Sequence, residues 1–214
     1  MTTNAIPLLD KDDYRPLPPI PEEILEDINE LYKNVINNQS LSHLEKLGEV
    51  YAFLDRCNQF VSTFSVCGKG CSHCCKIDVS VSQLEAEYIT ATGGPRIKPG
   101  SDQTFGHSSA CPFLGDDNTC TIYDRRPFNC RTLHTLDDPK YCADPHEIHH
   151  QLYGAPFKDT PDAEFPDYCA YFYTNPARWI LNLHRQYDLP YRDIRDWFPN
   201  RPSAIQRLKA WFSS

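Results

Sequence analysis

The chain has 214 residues, including 18 Pro and 10 Cys, with 21 basic against 29 acidic side chains and a formal net charge of −8. Apolar residues make up 40% and charged residues 23%, values that exclude a wholly disordered chain, a collagen-like repeat and a coiled-coil rod. The acidic balance argues against binding the phosphate backbone of nucleic acid, and no apolar run reaches the roughly 18 residues that predict a membrane span.

Residues 1–21 carry Pro7, Pro16, Pro18, Pro19 and Pro21 among charges and predict an extended lead-in. Leu25, Ile28, Leu31, Tyr32 and Val35 recur at helical spacing behind Pro21, Glu22 and Glu23, which predicts a helix over 22–38. Ser42 and Glu45 form a capping box for a second helix, 43–65, striped by Leu44, Leu47, Val50, Tyr51, Leu54 and Val61. The two read as a helical hairpin over 22–65. Ser82 and Glu85 open a short helix that Gly93 can end. Residues 93–110 lack periodicity and read as loop, and 111–123 read as a hairpin around Gly115–Asn118. Pro127 can open a helical turn through Arg131.

Asp144, Pro145 and Glu147 predict a further helix start closing near Gly154, and 155–168 read as loop. Asn175-Pro176 begins an amphipathic helix with Trp179, Ile180, Leu183 and Tyr187. Pro202 opens a last one with Ile205, Leu208, Trp211 and Phe212. The expected fold is mostly α (α+β): a small helical domain with a short hairpin and long metal-binding cysteine loops. Its parts are the lead-in 1–21, the hairpin 22–65, a cysteine region 66–145, and C-terminal helices 146–214 packed on the same domain.

Residues 1–13 have no basic and apolar signal segment, so the expected compartment is the cytoplasm, where thiols stay reduced. Clustered cysteines there read as metal ligands or catalytic groups before disulfides. The sharpest motif is Cys67-Gly-Lys-Gly-Cys71-Ser-His-Cys74-Cys75, in which Gly68 and Gly70 permit the tight turns that bring sulfurs together. Cys111, Cys120, Cys130 and Cys142 follow. Adjacent side chains diverge in extended and helical chain alike, so Cys74 and Cys75 are expected to serve different metals. Eight thiols then supply two tetrahedral sites, or one larger cluster and one ion. Lys69, Lys76, Arg125, Arg126 and Arg131 can offset the thiolate charge, or simply lie in solvent. His73 and His134 are close enough in sequence to replace a thiolate, and Cys57 and Cys169 read as core cysteines.

Cys67 to Cys75, then Cys111-Pro-Phe-Leu, then Cys120-Thr-Ile-Tyr-Asp-Arg-Arg-Pro-Phe-Asn-Cys130-Arg resemble the YkgJ-like cysteine-cluster family, to which zinc or iron chelation is ascribed. Val81-Ser-Gln-Leu-Glu-Ala86 and Asp137-Asp-Pro-Lys-Tyr-Cys142 fit the same pattern, and the resemblance covers residues 60–145. It implies metal binding at Cys67, Cys71, Cys74, Cys75, Cys111, Cys120, Cys130 and Cys142, with zinc or iron as the metal; the thiol count adds the expectation of two centres, with an iron–sulfur cluster as one alternative. The resemblance also implies a role for Arg126 near the thiolates, without implying a reaction. A similar motif occurs in flagellin lysine N-methylases linked to an iron–sulfur cluster, but this chain is much shorter and lacks a dinucleotide-type glycine fingerprint.

Two other motifs compete. Cys67, Cys71 and Cys74 match the CxxxCxxC spacing of radical-SAM enzymes, but no strand–helix repeats surround them. His146-Glu147-Ile148-His149-His150 satisfies HExxH, which on a zincin helix would place His146 and His150 on zinc with Glu147 as base and a third ligand such as Glu164. Its bland reading is exposed histidines near a cluster. The expected function is metal binding with mainly structural ions, and the alternative is an iron or iron–sulfur redox enzyme using the same cysteines. The aromatic C-terminal third, from Tyr168 to Trp211, reads as core before it reads as a docking surface for a partner protein.

Overall fold

A computed structural model describes residues 6–13, 16–68, 70–100, 102–144, 146–152 and 175–198. The first helix, α1 (Glu22–Leu31), begins behind Pro21 and runs into a π-helical turn at Tyr32–Ile36. The next, α2 (His43–Val61), starts at a complete capping box. Glu45 N donates to Ser42 Oγ at 3.3 Å, and Ser42 N donates to the Glu45 carboxylate at 2.8 Å. Lys46 of α2 reaches back to donate to the Ile36 carbonyl at 2.7 Å, satisfying an end of the preceding turn. Ser82 and Glu85 repeat the box at 3.3 and 2.9 Å ahead of α3 (Gln83–Ala91), which closes at Gly93 with φ of 94°.

Shorter pieces complete the body. Strand β1 (Ser80–Ser82) leads into α3, and α4 (Phe128–Thr132) follows Pro127 as expected. Strands β2 (His134–Thr135) and β3 (Gln151–Leu152) pair antiparallel, with His134 opposite Leu152. Helix α5 (Asn175–Tyr187) buries Trp179, Ile180 and Leu183 as its spacing requires. Strand β4 (Tyr191–Asp193) pairs antiparallel with β1 and runs into α6 (Ile194–Trp197). The fold is mostly helical α+β with short antiparallel strands.

Helix α2 is the hub, packed against α1, α3 and α4. Its Leu47, Val50, Tyr51, Phe53, Leu54, Cys57 and Val61 are buried, in one apolar cluster with Ile24, Ile28 and Leu31 of α1 and the α5 stripe. Each such side chain contributes about 1.5–3 kcal/mol of burial. Cys57 is thus a core residue, and burial pushes its thiol up to about 12. A second cluster joins Val79, Val81, Ala86 and Ile89 to Phe113, Ile122, Ile194, Trp197 and Phe198, with Cys111, Cys120 and Cys130 packed against it.

Two buried charges bind these parts. The Glu85 carboxylate accepts from Ser82 N, Ser82 Oγ, Tyr51 Oη and Phe128 N, the last at 2.6 Å, so one cap residue ties α2, α3 and α4 together. Arg131 is 1% exposed. Its guanidinium donates to Asp55 and to the Asp124 and Arg126 carbonyls, and lies 4.3 Å over the Tyr51 ring. It is a buried fastener rather than a surface counter-charge.

Several expectations are corrected. The 111–123 hairpin reduces to a single bridge, Leu114 to Cys120, around a turn in which Asn118 takes φ of 59°. No helix starts at residue 144. Asp144 Oδ1 accepts from His146 N at 2.9 Å and Asp144 O from Glu147 N at 3.1 Å, which closes a turn, and the chain then enters β3. Glu147 does not cap anything: its carboxylate holds Lys11 at 2.5 Å. The lead-in, where described, is draped over this region, with Asp138 N bonded to Leu9 O at 3.0 Å and Tyr141 Oη to Asp10 at 2.7 Å. The helix expected from Pro202, the loop 155–168 and Cys169 lie outside the described residues.

Glu85→Ala should destabilise the protein by about 3 kcal/mol, because it strands the Phe128 and Ser82 donors together with a buried tyrosine hydroxyl. Urea midpoints check this, and a loss under about 0.5 kcal/mol would contradict it. His134 Nε2 is 3.0 Å from both Asn58 Oδ1 and the Arg131 carbonyl, and burial lowers its pKa from 6.5 to about 4. The folded state therefore resists protonation that the unfolded chain accepts. This contribution, up to about 3 kcal/mol, is present above pH 6.5 and is lost as pH falls towards 4. His134→Gln should flatten that part of the stability-versus-pH curve relative to the wild type.

Candidate metal centre

The cysteines arrive from separate segments, each tied down by backbone hydrogen bonds. Val66 N donates to Thr135 O at 3.1 Å, which fastens the Cys67 segment beside β2. Cys71 N donates to Gly68 O at 3.0 Å, closing a turn in which Gly70 has φ of 100°, a conformation that favours glycine. A 3₁₀ turn, His73–Lys76, carries Cys74 and Cys75. Cys111 N donates to Cys75 O at 2.7 Å, docking the next loop. Cys120 closes the bridge with Leu114, Cys130 sits in α4 under the Glu85 anchor, and Cys142 lies in the 3₁₀ turn Pro139–Ala143, opened by the Asp138 cap on Lys140 N.

Cys67, Cys71, Cys74, Cys75, Cys111, Cys120 and Cys130 line one cavity of about 130 Å³. Among the described residues nine cysteines are free thiols. Cys74 and Cys75, expected to point to different centres, both line this cavity. They ride a 3₁₀ turn, in which neighbours stand about 120° apart, so the cavity must reach around the turn to take both. Cys142 lies to one side, its Sγ 3.7 Å from His149 Nε2.

The cavity holds thiols away from water and so disfavours their charged form. Burial pushes Cys67 up to about 12 and Cys111 and Cys142 up to about 11. Burial also raises Cys71, Cys120 and Cys130, while Cys74 is raised first by its hydrogen bond with Cys75 and then by burial. Two features oppose this. Thr135 N donates to Cys67 Sγ at 3.1 Å, and the Arg126 charge favours thiolates at Cys74, Cys120 and Cys130. Arg126 is held by its own Nε bond to Tyr123 O at 3.1 Å and by stacking 3.7 Å over the Tyr123 ring. Of the other basic residues proposed beside the thiols, Arg131 is buried elsewhere, Lys76 is exposed, and Lys69 lies outside the described residues.

Arg195 was not foreseen. It is 4% exposed, and donates to the Cys75 and Ile77 carbonyls at 3.3 and 3.2 Å, to Ser109 O at 2.8 Å and to Asp193 at 2.9 Å. It clamps the first cysteine block to the loop that brings Cys111. No local pattern announces this clamp, because the carbonyls it holds lie about a hundred positions away.

The donor set suits a soft transition metal: uncrosslinked thiols, converged and half-buried. Ser65, 3% exposed on the cavity wall, has a buried Oγ without a hydrogen-bond partner among the described residues, as expected where an occupant contributes to the lining. One water needs roughly 10–15 Å³, so 130 Å³ leaves room for several atoms. Among the described residues, however, no three cysteine sulfurs lie within 4.8 Å of one another. Thiolates sharing one tetrahedral ion stand roughly 3.8 Å apart, so the cavity is wider than a closed single-ion site.

Elsewhere, Asp78, His107 and Asp193 do bring donor atoms within 4.8 Å of one another. Those carboxylates are already engaged. Asp78 accepts from Gly106 N and from His107 N and Nδ1, and Asp193 from Val79 N and Arg195. The group is a clasp on the 104–107 loop. His146, Glu147 and His150 have no helix to share, and Glu147 is paired with Lys11, so the zincin arrangement is not formed. The radical-SAM pattern likewise lacks its scaffold, since the described strands are short and antiparallel. No described helix is long and apolar enough to cross a membrane.

Comparison with curated proteins and with solved structures gave no match. A family model does match, over residues 66–170, the span that includes every cysteine described above except the core residue Cys57. The family's name, CxxCxxCC, has two residues between its first two cysteines where this chain has three, the turn containing Gly70. The segment that brings these thiols together, residues 66–170, thus matches the CxxCxxCC family, described as a "putative zinc- or iron-chelating domain".

Proposed function

We propose that the protein chelates metal in two centres and that its ions mainly hold the cysteine loops in place. The observation that carries this reading is the convergence of seven thiols on one cavity. Cys74, Cys75, Cys111, Cys120 and Cys130 would hold the larger centre, beside Arg126, and Cys67, Cys71 and Cys142 the other. When bound, the metal supplies a cross-link between loops that bury little apolar surface of their own. The protein's part is to converge the thiols, to exclude water and, through Arg126, to favour their deprotonation. A reducing compartment such as the cytoplasm keeps such thiols available.

One observation favours an iron–sulfur cluster over a single ion in the larger centre. Ligand sulfurs around a four-iron cluster stand roughly 6 Å apart, which suits a roomy cavity without any sulfur triple inside 4.8 Å. That reading opens the way to redox chemistry at the same cysteines.

Elemental analysis of anaerobically purified protein tests the proposal. About two equivalents of transition metal are expected for two single-ion sites, and more iron with inorganic sulfide if one centre is a cluster. Less than half an equivalent would overturn it. Cys130→Ser should lose metal from the larger centre, since serine is a poor ligand for a soft site. Cys57→Ala should cost about 1–2 kcal/mol of stability with full metal retained. A brown colour would select iron–sulfur over zinc.

A further inference from the structure

Cys142 is the one proposed cysteine ligand that does not line the main cavity, and what faces it is a histidine hidden inside the HExxH run. We propose that His149 is a metal ligand, completing with Cys67, Cys71 and Cys142 a site of three thiolates and one imidazole. The proposal rests on the metal-chelating reading above.

Three observations converge. First, the His149 side chain is 2% exposed, unlike the solvent-facing histidines expected of this segment. Second, its ring is fixed from behind. Nδ1 lies 2.8 Å from Asp137 Oδ1, and Asp137 is itself anchored by Thr135 Oγ1 at 2.7 Å and His150 N at 2.8 Å. These bonds assign the proton to Nδ1 and leave a lone pair on Nε2. A carboxylate behind a histidine in this way is the usual partner of a metal-binding imidazole, and sets both its orientation and its basicity. Third, that lone pair points at a sulfur: Nε2 is 3.7 Å from Cys142 Sγ. Donors sharing one tetrahedral ion, at roughly 2.3 Å for sulfur and 2.1 Å for nitrogen, stand about 3.6 Å apart.

Thr135 joins the remaining donors. Its N–H donates to Cys67 Sγ at 3.1 Å, and its hydroxyl donates to Asp137 Oδ1 at 2.7 Å. Cys67 and Cys71 line the cavity beside this pair, but among the described residues no three of the four donors lie within 4.8 Å of one another, so these two thiols must close in on an ion held first by Cys142 and His149. The Gln151 amide also reaches His149 Nε2, at 2.5 Å, and must turn aside to admit an ion.

The test uses the full chain, expressed in cobalt-supplemented medium and purified without oxygen, with metal content and visible spectrum read together. His149→Ala should lose about one equivalent of cobalt relative to the wild type. His149→Cys should keep that equivalent but shift its ligand-field bands to lower energy, as a fourth thiolate replaces nitrogen. His146→Ala, at an exposed position, should change neither. A His149→Cys protein with the wild-type spectrum, or a soluble His149→Ala protein with full metal, would overturn the proposal while leaving the metal-chelating reading intact. A metal-free wild type would overturn both. A purely structural Asp137–His149 pair would alter stability but not the cobalt bands.

Discussion

Burial of thiols around one cavity is the constraint on which the rest of the molecule depends. Thiols withdrawn from water hold their protons: burial lifts Cys67 to about 12 and Cys111 and Cys142 to about 11. A soft cation reverses that balance by bonding to the thiolate, so filling the site and releasing protons are one event. The fold gains little from a ring of protonated thiols by itself. Its two apolar clusters must therefore carry the site to its position, and the site then closes the loops between them.

The positioning is done by a few buried charges rather than by extended secondary structure. Glu85 fixes the start of α4, and with it Cys130, to α2 and α3. Arg131 locks the adjoining 124–126 carbonyls and so presents Arg126 to the cavity. Arg195 holds the carbonyls of the Cys75 turn against the loop before Cys111. Each charge is held by several hydrogen bonds where it is buried, the condition under which such groups specify a structure instead of weakening it.

Much of this was legible in the sequence because its causes are local. Ser42–Glu45 and Ser82–Glu85 announced two helices, the α5 stripe announced a third, and the density of cysteines with the family resemblance announced the centre. What failed was also local, but weaker than its competitors. The Asp144–Glu147 pattern fits a helix start, yet Asp144 is used for a turn and the chain is drawn into the β2–β3 pair. Cys74 and Cys75 share a cavity because it is lined from several distant segments and reaches around their 3₁₀ turn, which the pattern of four residues does not reveal. The strands β1 to β4 are too short to alternate. Arg195, and Asp137 behind His149, act only through folding: a basic residue near a helix start and an aspartate in a loop carry no signal of their partners.

The central claim is that sulfur from these cysteines binds the metal. X-ray absorption at the edge of the metal found in the purified protein tests it most directly. The account predicts a first shell dominated by sulfur at about 2.3 Å, with a minor nitrogen component. A shell of oxygen and nitrogen alone, at about 2.0–2.1 Å, would contradict it.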